Sequence, residues 1–120
     1  MQAEWILTKQ VALVKDQYQS VTVKDEEIIR VLNFRWTLYA GDGLVMHLNY
    51  DENPSQFILY KQYKKDTFAL ALLPKKSKYK RVPFLYLVFN KFDYKENKAY
   101  FDIFIDDPKK QALIEVKESK

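Results

Sequence analysis

Apolar and polar residues alternate with a period of two along most of the chain, from residue 28 to residue 105. This period places successive side chains on opposite faces, as in a β-strand with one buried face. The clearest alternation predicts a strand whose apolar face carries Ile28, Leu32, Phe34, Trp36, Leu38 and Ala40. Tyr39 falls on the opposite, polar face. Gly41 and Gly43 then favour a tight turn into a partner strand over 44–50, because glycine readily adopts positive φ.

Four further strands are predicted at 57–63, 67–73, 84–92 and 99–105, with polar segments between them. Most connections are short, and short connections favour antiparallel neighbours. The 84–92 segment is apolar on both faces, which is typical of a central strand whose two faces are covered. The fold prediction is therefore mainly β, a single largely antiparallel meander sheet of about six strands, in one domain that spans residues 1–120.

The N-terminal segment, residues 3–18, fits two interpretations. Apolar residues recur at spacings of three and four, as on one face of an α-helix. They are Ala3, Leu7, Val11, Val14, Tyr18 and Val21. We favour the helix, which would cover one face of the sheet and make the fold α+β. If the segment is extended instead, the chain would close into an all-β sandwich or open barrel. Near the other end, the sequence fits either a helix over 109–117 or a strand over 112–116.

Composition excludes several kinds of functional site. The 120 residues include no Cys, one His and two Gly. Thiolate metal sites, disulfides, multi-histidine metal sites and glycine-rich phosphate loops are therefore ruled out. We expect no metal and no cofactor. No apolar run reaches the length of about 20 residues that spans a bilayer, and the first residues do not resemble a signal peptide. We therefore expect a soluble, cytoplasmic protein.

Two side chains are candidates for catalysis. His47 is the one side chain with an ordinary pKa near neutrality, but the alternation places it on an outward face. Asp102 lies between Tyr100 and Phe104, and we expect these three residues on the solvated face of a strand. Neither residue has the partners that acid–base or nucleophilic catalysis requires. We assign no catalytic residue and expect no enzymatic activity.

The distribution of charge is the strongest functional indication. Residues 61–81 carry a net charge of +7, whereas the rest of the chain carries −3. We predict a partner-binding region that consists of Lys64, Lys65, Lys75, Lys76, Lys78, Tyr79, Lys80 and Arg81. Lysines can follow phosphates while an aromatic ring stacks on a base. The sequence thus predicts a non-enzymatic binding or adaptor domain whose basic loop contacts an acidic partner, either a protein surface or a nucleic acid.

Two alternative functions use other features of the sequence. Aromatic residues make up 16% of the chain, and five tyrosines could line a pocket inside a cupped sheet. They are Tyr39, Tyr60, Tyr63, Tyr86 and Tyr100. Such a pocket would suit a small-ligand carrier or an enzyme. An unpaired strand edge would instead suit a self-assembling structural subunit.

Overall fold

The computed structural model describes residues 6–25, 28–61, 65–72, 83–106 and 113–116. Nine β-strands and no helix are present within these ranges. The strands are β1 (Ile6–Val14), β2 (Gln19–Asp25), β3 (Ile28–Ala40), β4 (Gly43–Tyr50), β5 (Asn53–Tyr60), β6 (Thr67–Ala71), β7 (Phe84–Asp93), β8 (Lys98–Asp106) and β9 (Leu113–Val116).

The strands form two antiparallel sheets instead of the single predicted sheet. The four-stranded sheet has the order β1-β8-β7-β6, and the five-stranded sheet has the order β5-β4-β3-β2-β9. β2 to β5 form one continuous meander, and β6 to β8 form another. Each of the two remaining strands joins the meander that is distant from it in sequence. β1, which precedes β2, pairs with β8, and β9, which follows β8, pairs with β2. Each sheet therefore combines segments that are far apart in sequence.

The inward faces of the two sheets pack on each other. Alternate side chains of the strands are buried in a shared core, as the period of two predicts. Phe34 of β3 meets Phe101 of β8 edge to face, with ring centroids 5.7 Å apart. Phe57 of β5 stacks on Phe68 of β6 at 3.9 Å. These contacts join the sheets at two places, and the sandwich alternative describes this arrangement better than a sheet covered by a helix.

The buried Trp36 adds a polar link between the sheets. Its indole Nε1 donates a hydrogen bond to the carbonyl of Leu13 in β1, at 2.7 Å. The indole ring also meets Phe92 of β7 at a centroid distance of 5.5 Å. A buried carbonyl that lost this donor would be left unsatisfied at a cost of about 1–3 kcal/mol. Trp36 therefore fixes β1 against the five-stranded sheet.

The predicted N-terminal helix is wrong over the described residues 6–18. β1 pairs with β8 from Ile6 to Val14, with one register shift between Leu7 and Lys9, and Val11 and Leu13 alternate into the core. Two residues of the supposed helical face, Val14 and Tyr18, are instead 39% and 54% exposed. The pairing with β8 outweighs a local pattern that fits both periods. At the other end, β9 matches the strand alternative, while residues 107–112 lie outside the described ranges.

One-residue bulges change the faces that simple alternation predicts. The register between β3 and β4 shifts at Thr37, so Leu38 turns outward and is 54% exposed, while Tyr39 packs against the core. A second shift, at Asn90 in β7, turns Phe92 inward. Tyr39 and Phe92 then stack with ring centroids 4.2 Å apart. The assignment of Leu38 to the buried face was wrong, because an inserted residue reverses the pleat beyond it.

The boundaries of β5 also differ from the prediction of a strand over 57–63. β5 begins at Asn53 because Asp51 and Glu52 both adopt positive φ and close a tight turn. Pro54 is accommodated because β5 is an edge strand of its sheet, where a missing backbone N–H leaves no partner unsatisfied.

The bulge at Thr37 can be tested by comparing two variants, in each of which one leucine is replaced by alanine. Leu48→Ala empties a buried position that is 3% exposed, so we expect it to lower the free energy of unfolding by about 2–5 kcal/mol. Leu38→Ala removes an outward side chain, so we expect a loss below about 1 kcal/mol. Urea denaturation measures both values. Equal losses of unfolding free energy in the two variants would show that Leu38 is buried like Leu48 and that the alternation continues past Trp36 without a bulge.

Candidate functional site

The outer face of the four-stranded sheet is unusually rich in aromatic rings. Outward side chains of its two central strands are half-buried and include Phe84, Tyr86, Val88, Tyr100, Asp102 and Phe104. The rings of Phe84 and Tyr86 stack with centroids 6.0 Å apart. β7 is a central strand, as its sequence predicts, but the five-stranded sheet covers only its inward face. We call the outward surface the outer face.

A carboxylate with two amide partners lies on this outer face. Asp102 accepts a hydrogen bond from Gln10 Nε2 at 2.9 Å on Oδ1, and one from Asn90 Nδ2 at 3.0 Å on Oδ2. The three side chains come from the adjacent strands β1, β8 and β7. Hydrogen bonds to an ionised carboxylate are stronger than neutral ones. The two amides therefore hold the plane of the carboxylate in a defined orientation.

Strand register and one bulge explain why these side chains meet. Gln10 lies directly opposite Asp102 in the β1–β8 ladder. Asn90 is the inserted residue of the β7 bulge, between the pairs Phe89–Phe101 and Lys91–Tyr100. An unpaired bulge residue is free to be aimed away from its neighbours. Here the bulge directs the Asn90 amide towards Asp102.

The polar cluster lines an open cleft of about 350 Å³. Lys91 and Tyr100 line the same cleft, and the Lys91 ammonium lies 4.8 Å from the centre of the Tyr100 ring. The cleft thus combines the carboxylate of Asp102, two side-chain amides, the Lys91 ammonium and the Tyr100 ring. This set of groups can recognise a flat polar ligand. No group of three or more His, Cys, Asp or Glu side chains suited to a metal ion occurs among the described residues.

Only one of the predicted partner-binding residues is described. Lys65 is exposed, and its carbonyl accepts a hydrogen bond from the backbone N–H of Tyr60 at 2.8 Å. The others lie outside the described residues; they are Lys64, Lys75, Lys76, Lys78, Tyr79, Lys80 and Arg81. Lys65 precedes β6, whereas the residues from Lys75 onward follow it.

The attachment of the segment 73–82 is nevertheless defined. Leu72, just after β6, donates its N–H to the carbonyl of Pro83, just before β7, at 2.8 Å. The segment therefore begins and ends at one hydrogen-bonded pair, beside Phe84 at one end of the four-stranded sheet. It carries five basic residues and no acidic residue. We call residues 73–82 the basic loop.

The two residues considered for catalysis lie where the alternation places them. His47 is half-buried on the outward side of the five-stranded sheet, opposite Arg35 and Gln56 on the neighbouring strands. Asp102 faces outward, while its neighbours Phe101 and Ile103 are fully buried. Both outward placements are confirmed, and the structure does not bring the two residues together, because they lie on different sheets.

The predicted tyrosine pocket does not form among the described residues. Packed apolar side chains fill the space between the sheets. Tyr86 and Tyr100 lie on the outer face, and Tyr39 joins a cluster of rings at one end of the sandwich. Tyr60 ends β5, and Tyr63 lies outside the described residues.

Sequence reasoning missed Gln10, Asn90 and Lys91 as members of the site. Gln10 lies in the segment for which the spacing of apolar residues favours a helix. Asn90 and Lys91 do carry a signal, because two polar residues interrupt an otherwise apolar strand. Polar interruptions of this kind are typical of bulges and of sites where a strand presents a side chain for a purpose other than packing.

Tyr39 and Tyr94 form a second polar contact, at the end of the sandwich. Their hydroxyls lie 3.4 Å apart, and the Tyr94 ring is 73% exposed. The hydrogen bond with Tyr94, together with partial burial, raises the pKa of Tyr39 to about 12. Both tyrosines, with Trp36 and Phe92, line a cleft of about 250 Å³. The Tyr39 phenol is therefore a neutral group at physiological pH.

Comparison of the chain with known proteins finds no matching family model, no matching curated protein and no matching solved structure. In the part of the chain that the structure describes, no helix has the length and apolar character needed to cross a membrane.

The raised pKa of Tyr39 can be measured by alkaline titration of tyrosine absorbance. The difference between the wild-type curve and that of Tyr39→Phe isolates Tyr39, and we expect its midpoint at about pH 12. In a Tyr94→Phe background the same difference should move back towards pH 10, because the hydrogen-bond partner is gone. The folded state holds this proton more tightly than the unfolded chain does. The associated stability is therefore complete below pH 10 and is lost as the pH rises towards 12. A wild-type midpoint at pH 10 would refute the contact.

Proposed function

We propose that the chain is a non-enzymatic binding domain for single-stranded nucleic acid. The observation that carries the proposal is the attachment of the basic loop at one point of the four-stranded sheet, beside an outer face of aromatic side chains. Cations that follow phosphates and rings that stack on bases are the two components of single-strand recognition. In this chain the residues that flank the basic loop, Leu72 and Pro83, adjoin β6 and β7 of the sheet that carries the rings.

The basic loop supplies the electrostatic component. Its net charge of +5 lies within ten residues, and the backbone on either side is joined by the Leu72–Pro83 hydrogen bond. Each phosphate neutralised by such a cation releases bound counterions, so binding weakens as salt is added. Lys91 adds a positive charge on the outer face itself, whereas the ammonium of Lys98 there is paired with Glu96 at 3.3 Å.

Two carboxylates of the outer face, those of Asp93 and Asp102, are engaged with hydrogen-bond donors. Asp93 Oδ1 accepts from the backbone N–H groups of Lys95 and Glu96 in the β7–β8 turn. Asp102 accepts from the amides of Gln10 and Asn90. These donors reduce the repulsion that either carboxylate would exert on a polyanion, although they do not cancel its charge.

A nucleic acid is favoured over an acidic protein surface by the aromatic rings. A purely electrostatic partner would contact the lysines alone. Bases have flat π-faces that stack on Tyr and Phe whatever the sequence, and each such contact is worth about 1–3 kcal/mol. The small-ligand alternative is not supported by the space between the sheets, which the core fills.

The proposal predicts a steep response of binding to salt. A labelled oligothymidylate should bind with a log–log slope of about −3.5 if five phosphates are neutralised, and should lose roughly 100-fold in affinity between 50 and 200 mM salt. Replacing Lys75, Lys76, Lys78, Lys80 and Arg81 by Ser should flatten this slope almost completely. Fluorescence anisotropy measures both effects, and the melting temperature should stay nearly unchanged.

A charge-matched pair of variants separates the position of charge from its amount. Lys75→Ser with Lys80→Ser should weaken binding strongly. Lys15→Ser with Lys95→Ser removes the same charge from exposed residues at the opposite end of the four-stranded sheet, and should weaken binding only slightly. Equal losses, or no anisotropy change at 50 mM salt, would contradict the proposal. Equally tight binding of poly-glutamate would favour an acidic protein partner instead.

A further inference from the structure

We propose that the cleft around Asp102 is a base-reading subsite that selects guanine. The inference rests on the proposed function, because it assigns a specific role to one part of the outer face during single-strand binding. It is carried by the hydrogen-bond geometry of the Gln10–Asp102–Asn90 cluster and by the position of Lys91 in the same cleft.

The acceptor pattern of Asp102 matches guanine. Each carboxylate oxygen accepts one amide hydrogen bond within the protein, and carboxylate oxygens have room for further donors. Guanine presents two adjacent donors on its Watson–Crick edge, N1–H and the N2 amino group. Adenine, cytosine and thymine each present a single donor group there, next to acceptors. A carboxylate therefore forms two parallel hydrogen bonds with guanine alone.

The surrounding side chains complete the match. Lys91 lines the cleft beside Asp102 and supplies a cationic donor for the O6 acceptor of guanine. The Tyr100 ring also lies in the cleft, and its centre is 4.8 Å from the Lys91 ammonium. The amides of Gln10 and Asn90, on the two neighbouring strands, donate hydrogen bonds to the carboxylate and fix its orientation. Because the Asp102 side chain is already ordered, base binding costs little of its conformational entropy.

The charge of Asp102 is consistent with reading a base and not a phosphate. A carboxylate in the middle of a polyanion-binding surface repels the nucleic-acid backbone. The same carboxylate becomes favourable when it faces the donor edge of a base. The base would then face Asp102 and Lys91, and the backbone would lie on the side away from the carboxylate.

The test compares three oligonucleotides that differ at one base. Each is a run of thymidines with guanine, adenine or cytosine at the centre, and fluorescence anisotropy gives its affinity for the full chain. We expect guanine to bind about tenfold more tightly than adenine or cytosine, the size of effect seen for good two-bond base contacts. Asp102→Asn keeps the shape but offers one acceptor and one donor, so we expect the guanine preference to disappear.

Two further variants serve as controls. Glu96→Gln removes one negative charge from the exposed β7–β8 turn, outside the cleft, and releases Lys98 from its ion pair with Glu96. The affinity for all three oligonucleotides should therefore rise together, and the guanine preference should stay unchanged. Lys91→Gln should reduce the ratio of guanine to adenine affinity, even if Asp102→Asn fails to fold. Melting curves establish which variants are folded.

The possible outcomes separate this inference from the proposed function. If no oligonucleotide binds the wild-type chain, both are overturned. If all three bind equally and lose affinity with salt, the proposed function stands and the guanine subsite is overturned. A guanine preference that survives Asp102→Asn in a folded protein also overturns the subsite. A preference that Asp102→Asn abolishes and Glu96→Gln retains supports it.

Discussion

Burial of two facing sets of apolar side chains holds this molecule together, because neither sheet has a core of its own. Leu32, Phe34 and Trp36 of β3 are buried against Phe89 and Phe101 of the other sheet only when both sheets are present. The positions of β1 and β9 strengthen this dependence. Each sheet includes one strand from far away in sequence, β1 in the four-stranded sheet and β9 in the five-stranded sheet. The free energy gained by removing these side chains from water therefore stabilises the two sheets jointly.

The same constraint determines what is displayed on the surface. A strand that commits alternate residues to the core must present the others outward, so the packing of β7 and β8 fixes the aromatic outer face. The bulge at Asn90 connects the two sides of the sheet. Beyond the bulge, Phe92 turns inward to stack on Tyr39, while Asn90 itself reaches Asp102 on the outside. The candidate site thus depends on a feature that also completes the core.

Much of this fold follows from the sequence where local signals are strong. Regular alternation and the Gly41–Gly43 turn predict β3 and β4, and the outward position of Asp102 follows from its buried neighbours. The sequence of residues 3–18 does not distinguish helix from strand, because its apolar spacing fits both periods. The pairing of β1 with β8 decides between them. Bulges were not predicted, since one inserted residue is visible only once two strands are aligned. The Gln10–Asp102 contact spans 92 positions, so no local pattern could indicate it.

The proposed nucleic-acid surface is the outer face of the four-stranded sheet. Backbone amide chemical shifts, recorded by NMR while an oligonucleotide is titrated into the full chain, test this most directly. We expect the largest shifts at Asn90, Lys91, Tyr100 and Asp102 and in the basic loop, and no shifts at the outward residues His47 and Asn49 of the five-stranded sheet. Shifts concentrated on the five-stranded sheet, or confined to the basic loop, would contradict binding at the outer face.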